Sequence, residues 1–477
     1  MSNGLGWGGA YSTTIERIKA QDGDKSRQGM AALMWVSYAE RPLKADELCH
    51  ALAIELGSKD FNAGSVPSIS TIVNCCQGLI TVDEETSTMR LAHFTVKEYL
   101  SARRDIFHQP HSAMAEICLT YLNSKQVKSI RASLIHGISD TRHTPLLEYC
   151  SLYWGVHAKR ELSDCARSLA LELFREYHGH VSRKLLLIEN FELGHWSFMD
   201  FHKDSPFSGL HCASFFGISD LVVTLIEMEC YDIDKGGFWG YTPLAWAASN
   251  GHEEVAKILL DREEVNPNKP ANLGQTPLSQ AACGGREGVV KLLLSRKEVY
   301  ADMPDNFGKT PLSYAAWSGH EGAVKVLLEC EEVNPDNPDT DGRTPLSYAA
   351  GYGHAAVVNI LLGREEVNPD IPDKIGITPL SYAASEGHEG VVKILLGQEE
   401  VNPDKPNSWG KTPLSYAAEY GRESVVKILL DRGEVTHDKP DCFGRTPLLY
   451  AAMNGHRKVI ALLQPHDEAI TPSKLEA

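Results

Sequence analysis

Two short stretches of the chain carry the residues that end a nucleotide-binding phosphate loop, Gly308-Lys309-Thr310 and Gly410-Lys411-Thr412. Such a loop wraps its backbone N–H groups around phosphate oxygens, and it needs another glycine five residues before the first one. Met303 and Lys405 stand at those two positions. We therefore predict that neither stretch binds a nucleotide.

The segment that begins at Asn337 opens like a calcium-binding EF-hand loop, because Asp339 and Asp341 follow at alternate positions before Gly342. A calcium loop needs a carboxylate at its twelfth position, where both oxygens bind the ion. That position is Tyr348. We expect no calcium site here.

Histidine followed by glutamate recurs as it would at the start of a zinc-binding helix, in His252-Glu253, His320-Glu321 and His388-Glu389. A zinc helix needs a second histidine four residues after the first, and these pairs lack it. The sequence also contains no Gly-x-Ser-x-Gly nucleophile motif. These observations predict no metal site, no cofactor, no catalytic residue and no small-molecule substrate.

Composition narrows the class of protein. The 477 residues are enough for two or more domains, and the net charge of −17 opposes general binding to nucleic acids or anionic membranes. The 11 cysteines are scattered, as in proteins that keep free thiols. No apolar run reaches about 18 residues, and the N-terminus lacks a signal-peptide core. We predict a cytoplasmic protein, with the nucleus as the other location, and no membrane insertion.

The motif residues described above belong to a repeat of 34 residues, and this repeat determines which helices and loops carry them. Thr-Pro-Leu begins seven consecutive copies, at residues 242, 276, 310, 344, 378, 412 and 446, and Ser208-Gly209-Leu210 keeps the same spacing one copy earlier. A fixed period of this size predicts a solenoid. We expect eight units over residues 204–464.

Each copy has the residues of a helical hairpin followed by a loop. Thr310 is placed to cap a first helix and Pro311 to occupy its first position, where the missing N–H costs nothing. Gly319 ends that helix because it tolerates a left-handed backbone. The apolar spacing in 323–328 predicts a second helix, and the Pro- and Asp-rich residues 331–339 predict an extended return loop or hairpin.

These residues resemble the ankyrin repeat. The family pattern, Gly-x-Thr-Pro-Leu-x-x-Ala-Ala-x-x-Gly-His followed by Val-Val-x-x-Leu-Leu, is complete in residues 376–396. Two features depart from it, because serine replaces the usual histidine after Thr-Pro-Leu and the loop between copies is one residue longer. The resemblance implies that the histidine of each His-Glu pair links neighbouring turns by hydrogen bonds. It also implies that partners bind on a concave face made of hairpin tips and inner helices.

The N-terminal region predicts three helices and a β-hairpin, which is a winged-helix pattern, with Thr95 placed to cap a further helix. The helices are expected at 30–38, 44–56 and 68–76 and the strands at 79–83 and 89–93. Residues 32–37, 41–43, 46–48 and 90–95 resemble the winged helix of GPI inositol-deacylase type found in fungal NACHT proteins. Those proteins are similar to NLR receptors and carry ankyrin repeats after this segment. Since no phosphate loop precedes residue 26, ATP-driven switching is not expected.

Two functions other than protein binding are also consistent with this sequence. A winged helix can read DNA through its third helix, which would make the chain a nucleic-acid-binding regulator. Residues 68–76 contain no lysine or arginine, and phosphate contacts supply most of the affinity of such modules, so no nucleic acid partner is expected. The other alternative is an enzyme with its site in residues 105–203.

The predicted fold is all-α with a small β-wing: a winged helix, a helical connector and an ankyrin-repeat solenoid. The connector is expected to cap the exposed apolar end of the repeat stack. The expected domains are an N-terminal extension (1–25), the winged helix (26–104), the connector (105–203), the repeats (204–464) and a polar tail (465–477).

The candidate site is a row of side chains at the hairpin tips. The residue before the tip glycine is apolar or aromatic in six of seven copies, and a base follows the glycine in four. Aromatic and arginine side chains are common binding hot spots. The predicted protein-binding residues are Trp239, Tyr241, Phe307, Lys309, Trp317, Arg343, Tyr352, Ile375, Trp409, Lys411, Tyr420, Phe443 and Arg445.

The alternative for this row is that large tip side chains pack on the next hairpin, and that they recur because the copies share an origin. On balance the pattern favours a non-catalytic protein-interaction scaffold or sensor arm of the fungal NLR-like type. Its partner is expected to be a protein, which the sequence does not identify.

Overall fold

The computed structural model describes residues 5–58, 60–103, 105–130, 144–190 and 206–464. The predicted polar tail, 465–477, lies outside the described residues. The chain divides into two compact units, Met1–Asp232 and Ile233–Ala477. The described residues are mostly helical, with a single two-stranded sheet, which confirms the predicted fold class.

The N-terminal part of the first unit is the winged helix. Its helices are α1 (Leu5–Lys19), α2 (Gly23–Tyr38), α3 (Ala45–Leu52), a 3-10 turn (Ala63–Ser65), α4 (Ile69–Cys75) and α5 (Phe94–Ala102); its strands are β1 (Ile80–Asp83) and β2 (Thr88–Leu91). The strands pair antiparallel with Ile80 opposite Leu91. Leu33, Leu48 and Ile72 are completely buried, so the helices and the hairpin share one core.

Two details differ from the sequence predictions. The last helix of this region begins at Phe94, and its cap is His93, whose side chain accepts the N–H of Thr95; the prediction of Thr95 as the cap was wrong. The hydroxyl of Thr95 instead bonds to that of Tyr11, at 2.7 Å. The expected boundary between residues 25 and 26 falls inside α2, and α1 packs against α2 and α5.

The connector is built from short helices around α8. They are α6 (Pro110–Asn123), α7 (Lys125–Lys128), α8 (Leu147–Arg160), α9 (Asp164–Arg175), a 3-10 turn (Tyr177–Gly179) and α10 (Val181–Asn190). The first repeat, α11 (Gly209–Phe216) and α12 (Ser219–Glu227), follows in the same unit.

Aromatic rings join the connector to this first repeat. Trp154 of α8 lies edge-on to Phe174 of α9 and to Phe216 of α11, with ring centroids 5.9 and 5.4 Å apart. Gly155 permits this approach, because a Cβ at that position would lie 2.2 Å from the Phe216 ring. The connector therefore covers α11 with a close-packed aromatic layer.

The second unit consists of seven further helix pairs. They are α13 (Pro243–Asn250) with α14 (Glu253–Leu260), α15 (Pro277–Cys283) with α16 (Glu287–Leu294), α17 (Pro311–Ser318) with α18 (Glu321–Leu328), α19 (Pro345–Gly351) with α20 (Ala355–Leu362), α21 (Pro379–Glu386) with α22 (Glu389–Leu395), α23 (Pro413–Glu419) with α24 (Glu423–Leu430), and α25 (Pro447–Met453) with α26 (Arg457–Leu463). A 3-10 turn, Phe238–Gly240, precedes the first pair.

The repeated threonine begins every inner helix as predicted. The Thr310 hydroxyl accepts the N–H of Ser313 at 3.2 Å, and the two hydroxyls also bond to each other at 3.2 Å. In the first repeat Ser208 bonds to His211 in the same way, at 2.8 Å. The serine that departs from the family pattern therefore keeps the cap closed. Gly319 has the predicted left-handed backbone, with φ of 77°.

Side chains at the start of the outer helices join consecutive repeats. His388 Nε2 donates to the carbonyl of Gly351 at 3.0 Å, which confirms the structural role predicted for this histidine. His354 and His456 make equivalent bonds. Where arginine replaces histidine the bond persists, since Arg286 and Arg422 donate Nε to the carbonyls one repeat earlier.

Within the residues that the structure describes, none of the helices combines the length and hydrophobicity that a bilayer crossing demands.

The close approach at Gly155 can be tested by Gly155→Ala. The added methyl group meets the Phe216 ring at 2.2 Å, so we expect a loss of about 1–3 kcal/mol of stability, typical of overpacking. Thermal unfolding followed by circular dichroism measures the change. Gly179→Ala is the matched control, because a Cβ there meets no atom within 4 Å. Equal melting temperatures for the two variants would contradict the packing described.

Candidate functional site

Five of the seven hairpin tips in the second unit are each organised by one buried aspartate or asparagine side chain. Asp305 Oδ1 accepts the backbone N–H groups of Phe307 and Lys309, both at 2.8 Å, and its Oδ2 accepts the Tyr314 hydroxyl at 2.7 Å. The carboxylate therefore folds the tip and ties it to the inner helix.

The same network recurs in four more repeats, around Asp339, Asp373, Asn407 and Asp441. At Asn407 the polarity of one bond is reversed, because its amide Nδ2 donates to the Tyr416 hydroxyl at 2.8 Å. Sequence reasoning missed these residues. Their signal was a tyrosine nine residues after each one.

Consecutive tips are joined through the backbone. Asn306 donates its N–H to the carbonyl of Leu273 at 3.0 Å, and Cys442 donates to that of Trp409 at 2.7 Å. The tip glycine permits this contact, because a Cβ on Gly308 would lie 2.7 Å from the backbone nitrogen of Thr340. The carbonyl of the residue before a tip glycine thus bonds to the residue two positions before the next tip glycine, and neighbouring tips lie side by side.

The side chains at these joined positions point into solvent in most repeats. Trp409 is 46% exposed and Phe443 is 69% exposed. The other exposed apolar tip residues are Leu273, Phe307 and Ile375. We call these five side chains the tip row. Each of them has 39–69% of its surface exposed, and the protein covers the rest.

The remaining predicted tip residues differ from the tip row. Trp239 is half-buried in a turn with a left-handed backbone, φ of 57°, and its ring contacts Phe238. Tyr241 is half-buried against Trp246, with ring centroids 4.9 Å apart. These two candidates contact residues of their own repeat.

The inner helices add a second set of aromatic side chains. Tyr352 and Tyr420 are more than half exposed. Trp317 is half-buried and lies edge-on to Tyr352, with centroids 5.9 Å apart. Lys309 joins this group, because its Nζ lies 4.9 Å from the centre of the Trp317 ring. The structure therefore brings Lys309, Trp317 and Tyr352 into one cluster.

The basic residues beside the tips are largely engaged by side chains of their own repeat and the next one. Lys411 lies over the rings of Tyr416 and Tyr450, at 4.2 and 4.6 Å, and pairs with Glu419, so that its side chain is only 12% exposed. In the motif Gly308-Lys309-Thr310, the threonine likewise serves as a helix cap.

The two arginines of the set are held in a similar way. Arg343 Nε donates to the Tyr382 hydroxyl at 3.0 Å. Arg445 pairs with Asp441 at 2.8 Å and lies over Phe443 and Tyr450. Such cation–π and ion-pair contacts fix the long side chains against the inner helices. The side chains that this face exposes to solvent are consequently more apolar and aromatic than basic.

Residues of metal-ligating type meet in the first unit. Glu40, His111 and His157 each offer one ligand atom, and these atoms lie within 4.8 Å of one another. Burial and the nearby charges of His111 and Arg160 lower the pKa of His157 to about 3, and burial also lowers the pKa of His111. Both imidazoles are neutral at pH 7.

Two family models match the chain. A model described as ankyrin repeats (3 copies) matches residues 210–303, 297–373, 361–440 and 380–474. Together these matches span 210–474, which is more than half of the 477 residues. A model described as GPI inositol-deacylase, winged helix domain matches residues 16–108. The second match begins within α1.

A curated protein from Monascus ruber, described as azaphilone pigments biosynthesis cluster protein L, is similar over part of its length. The two sequences are 27% identical over 147 residues, which is 26% of this chain. The chain spans 29% of the length of that relative. The reference to pigment biosynthesis belongs to the relative alone.

The tip network predicts that the carboxylate of Asp441 makes the stability of the fold depend on pH, and that Asp441→Asn removes this dependence. Burial raises the pKa of Asp441, but bonds from Tyr450, Arg445 and Phe443 outweigh it and hold the pKa at about 2, below its ordinary 3.8. A lowered pKa stabilises the fold above about pH 4, and this stabilisation is lost as the pH falls through about 2. Asn407 shows that an amide fits this position.

We therefore expect Asp441→Asn to fold, to melt at a lower temperature than the wild type at pH 7, and to lose that difference as the pH approaches 2. Melting temperatures measured from pH 7 to pH 2 check this. Asp438→Asn, which removes an exposed carboxylate from the same repeat, is the control. A difference that stays constant with pH would contradict the assignment.

Proposed function

Because the chain belongs to the ankyrin-repeat family, we propose that it is a non-catalytic interaction scaffold or sensor arm that binds a protein on its hairpin tips and inner helices. Ankyrin repeats support a protein partner. The tip row supports this choice of face most strongly, because its five apolar side chains, spaced by 34 residues or by 68 across Asp341, are 39–69% exposed. Exposed apolar groups on a rigid backbone are typical of interaction surfaces.

The rigidity of the face contributes to the proposal. Trp409 and Phe443 sit on tips whose backbones are hydrogen-bonded to each other, and Lys411 is held between tyrosine rings. A face whose groups are already ordered loses little conformational freedom when a partner binds. Tyr352, Tyr420 and Trp317 would extend the contact from the tips onto the inner helices.

The finer proposal is a fungal NLR-like arm, in the cytoplasm or the nucleus, with the domain order set out from the sequence. Its support is the order of the two family matches, winged helix before ankyrin repeats. The proposal includes neither a nucleic acid partner nor a small-molecule substrate. It is supported by the absence of lysine and arginine from α4, since these residues supply most contacts to phosphate.

The proposal is tested with a variant in which Phe307, Trp409 and Phe443 are all changed to serine in the tagged full chain. We expect the variant to lose proteins that the wild type captures, with a melting temperature within a few degrees of the wild type, because the three side chains are exposed. Quantitative mass spectrometry of the captured proteins gives the first result, and thermal unfolding gives the second.

The matched control changes exposed apolar residues outside the tip row, Tyr300→Ser with Met228→Ser. It should capture the same proteins as the wild type. If the tip variant and the control capture the same set, the tip row is not the binding face. Lys411→Ala is unsuitable as a binding probe, because its contacts with Glu419 and two tyrosines make it part of the fold.

A further inference from the structure

The cluster formed by Glu40, His111 and His157 joins three segments of the first unit. Glu40 follows α2 of the winged helix, His111 lies in the first turn of α6, and His157 lies in the last turn of α8. The segment around Glu40 is already fastened to α8, since the Glu40 N–H donates to the Tyr149 hydroxyl at 3.1 Å and Arg41 pairs with Glu148. A ligand bound by all three residues would cross-link the winged helix and the connector.

Two of the three separations between the ligand atoms are near those of a zinc site, and the third, between His111 and Glu40, is within 4.8 Å. His111 Nδ1 and His157 Nδ1 are 2.8 Å apart, and His157 Nδ1 is 3.9 Å from Glu40 Oε1. Zinc bound tetrahedrally at about 2.0–2.1 Å places its ligand atoms roughly 3.3–3.5 Å apart. Shifts of about 0.5 Å would bring both distances into that range, and the partial exposure of Glu40 and His111 leaves room for them.

The surroundings supply the outer hydrogen bond that a zinc-binding histidine needs. His157 is fully buried, and its Nε2 lies 2.8 Å from the Tyr149 hydroxyl. A hydroxyl oxygen has two acceptor lone pairs, so Tyr149 can accept the Nε2 proton of His157 as well as the Glu40 N–H. The proton is then on Nε2, and Nδ1 of His157 accepts the Nδ1–H of His111. Zinc binding would move that proton of His111 to its Nε2, so that both Nδ1 atoms present a lone pair to the ion. Such outer partners fix the orientation of metal ligands.

Arg160 is the group that opposes a cation at this site, because its guanidinium pairs with both carboxylate oxygens of Glu40. Its side chain is 47% exposed, so it can turn into solvent and release one oxygen. Glu161 does not compete for the ion, since its Oε2 accepts the backbone N–H groups of His111 and Ser112.

The geometry points to a zinc site formed by Glu40 Oε1, His111 Nδ1 and His157 Nδ1. Three protein ligands of nitrogen and oxygen leave the fourth tetrahedral position to water or to a group from a partner. Bound zinc stabilises the folded first unit, because the ligands are assembled only when α6, α8 and the Glu40 segment are packed together.

The test uses the full chain freed of metal with a chelator and then dialysed against zinc chloride. We expect one zinc ion per chain and a higher melting temperature with zinc than without it. His111→Ala and Glu40→Gln should each weaken zinc binding by about tenfold or more and abolish the rise in melting temperature. Cobalt(II) in place of zinc should give the visible absorption of a four-coordinate site.

The matched control is His108→Ala, which removes an exposed histidine three residues from His111 and should bind zinc like the wild type. His111→Ala leaves the bond between Tyr149 and His157 in place, and circular dichroism in the absence of metal verifies its fold. The proposal is overturned if the wild type binds no zinc, or if His111→Ala and Glu40→Gln bind zinc as tightly as His108→Ala. In that case the cluster is only a hydrogen-bonded pair of histidines beside Glu40.

Discussion

Six hairpin tips in the second unit donate a backbone N–H to the carbonyl of the tip before them, at 2.7–3.0 Å between nitrogen and oxygen. This bond needs the tip residue to keep a particular backbone direction. At five of these tips a buried aspartate or asparagine provides it by accepting two backbone N–H groups. The tyrosine hydroxyl then ties that carboxylate to the inner helix. The spacing and orientation of the repeats follow from this chain of hydrogen bonds.

These contacts also determine which side chains of the face are held against the repeats and which are exposed to solvent. Lysine and arginine beside the tips find acceptors and aromatic rings within their own and the next repeat, so their charges are held close to the backbone. The five residues of the tip row also have fixed backbones, and their apolar side chains are 39–69% exposed. A partner would therefore meet aromatic groups first, with the bases supplying a positive potential at their edges.

The repeat architecture could be predicted from the sequence because its causes are local. A threonine before a proline caps a helix, and a glycine ends one, whatever surrounds them. The contact of Lys411 with the ring of Tyr450 could not be predicted, because Tyr450 belongs to the next repeat. The helix start at His93 was missed for a similar reason, since Thr95 is also within reach of Tyr11 in α1.

The cluster of Glu40, His111 and His157 shows the limit of motif reasoning in the same way. Zinc motifs in sequences rely on ligands a few positions apart on one helix, and these three residues come from three separate segments. Only the packing of α6 and α8 on the winged helix brings them together. The sequence therefore predicts best the features that depend on residues within a single repeat, such as caps and helix ends. It predicts least well the contacts between residues from distant segments.

The junctions between repeats are interchangeable. At five junctions a histidine or an arginine makes the same bond to the preceding carbonyl, and six tips use the same N–H donor. Removing residues 310–343 would join Lys309 to Thr344, and it would place Asp305 nine residues before Tyr348, which is the spacing found in the tip network. Whole units of 34 residues can thus be lost or gained through recombination without a new interface having to arise, and the length of the binding face can change in steps while its chemistry is preserved.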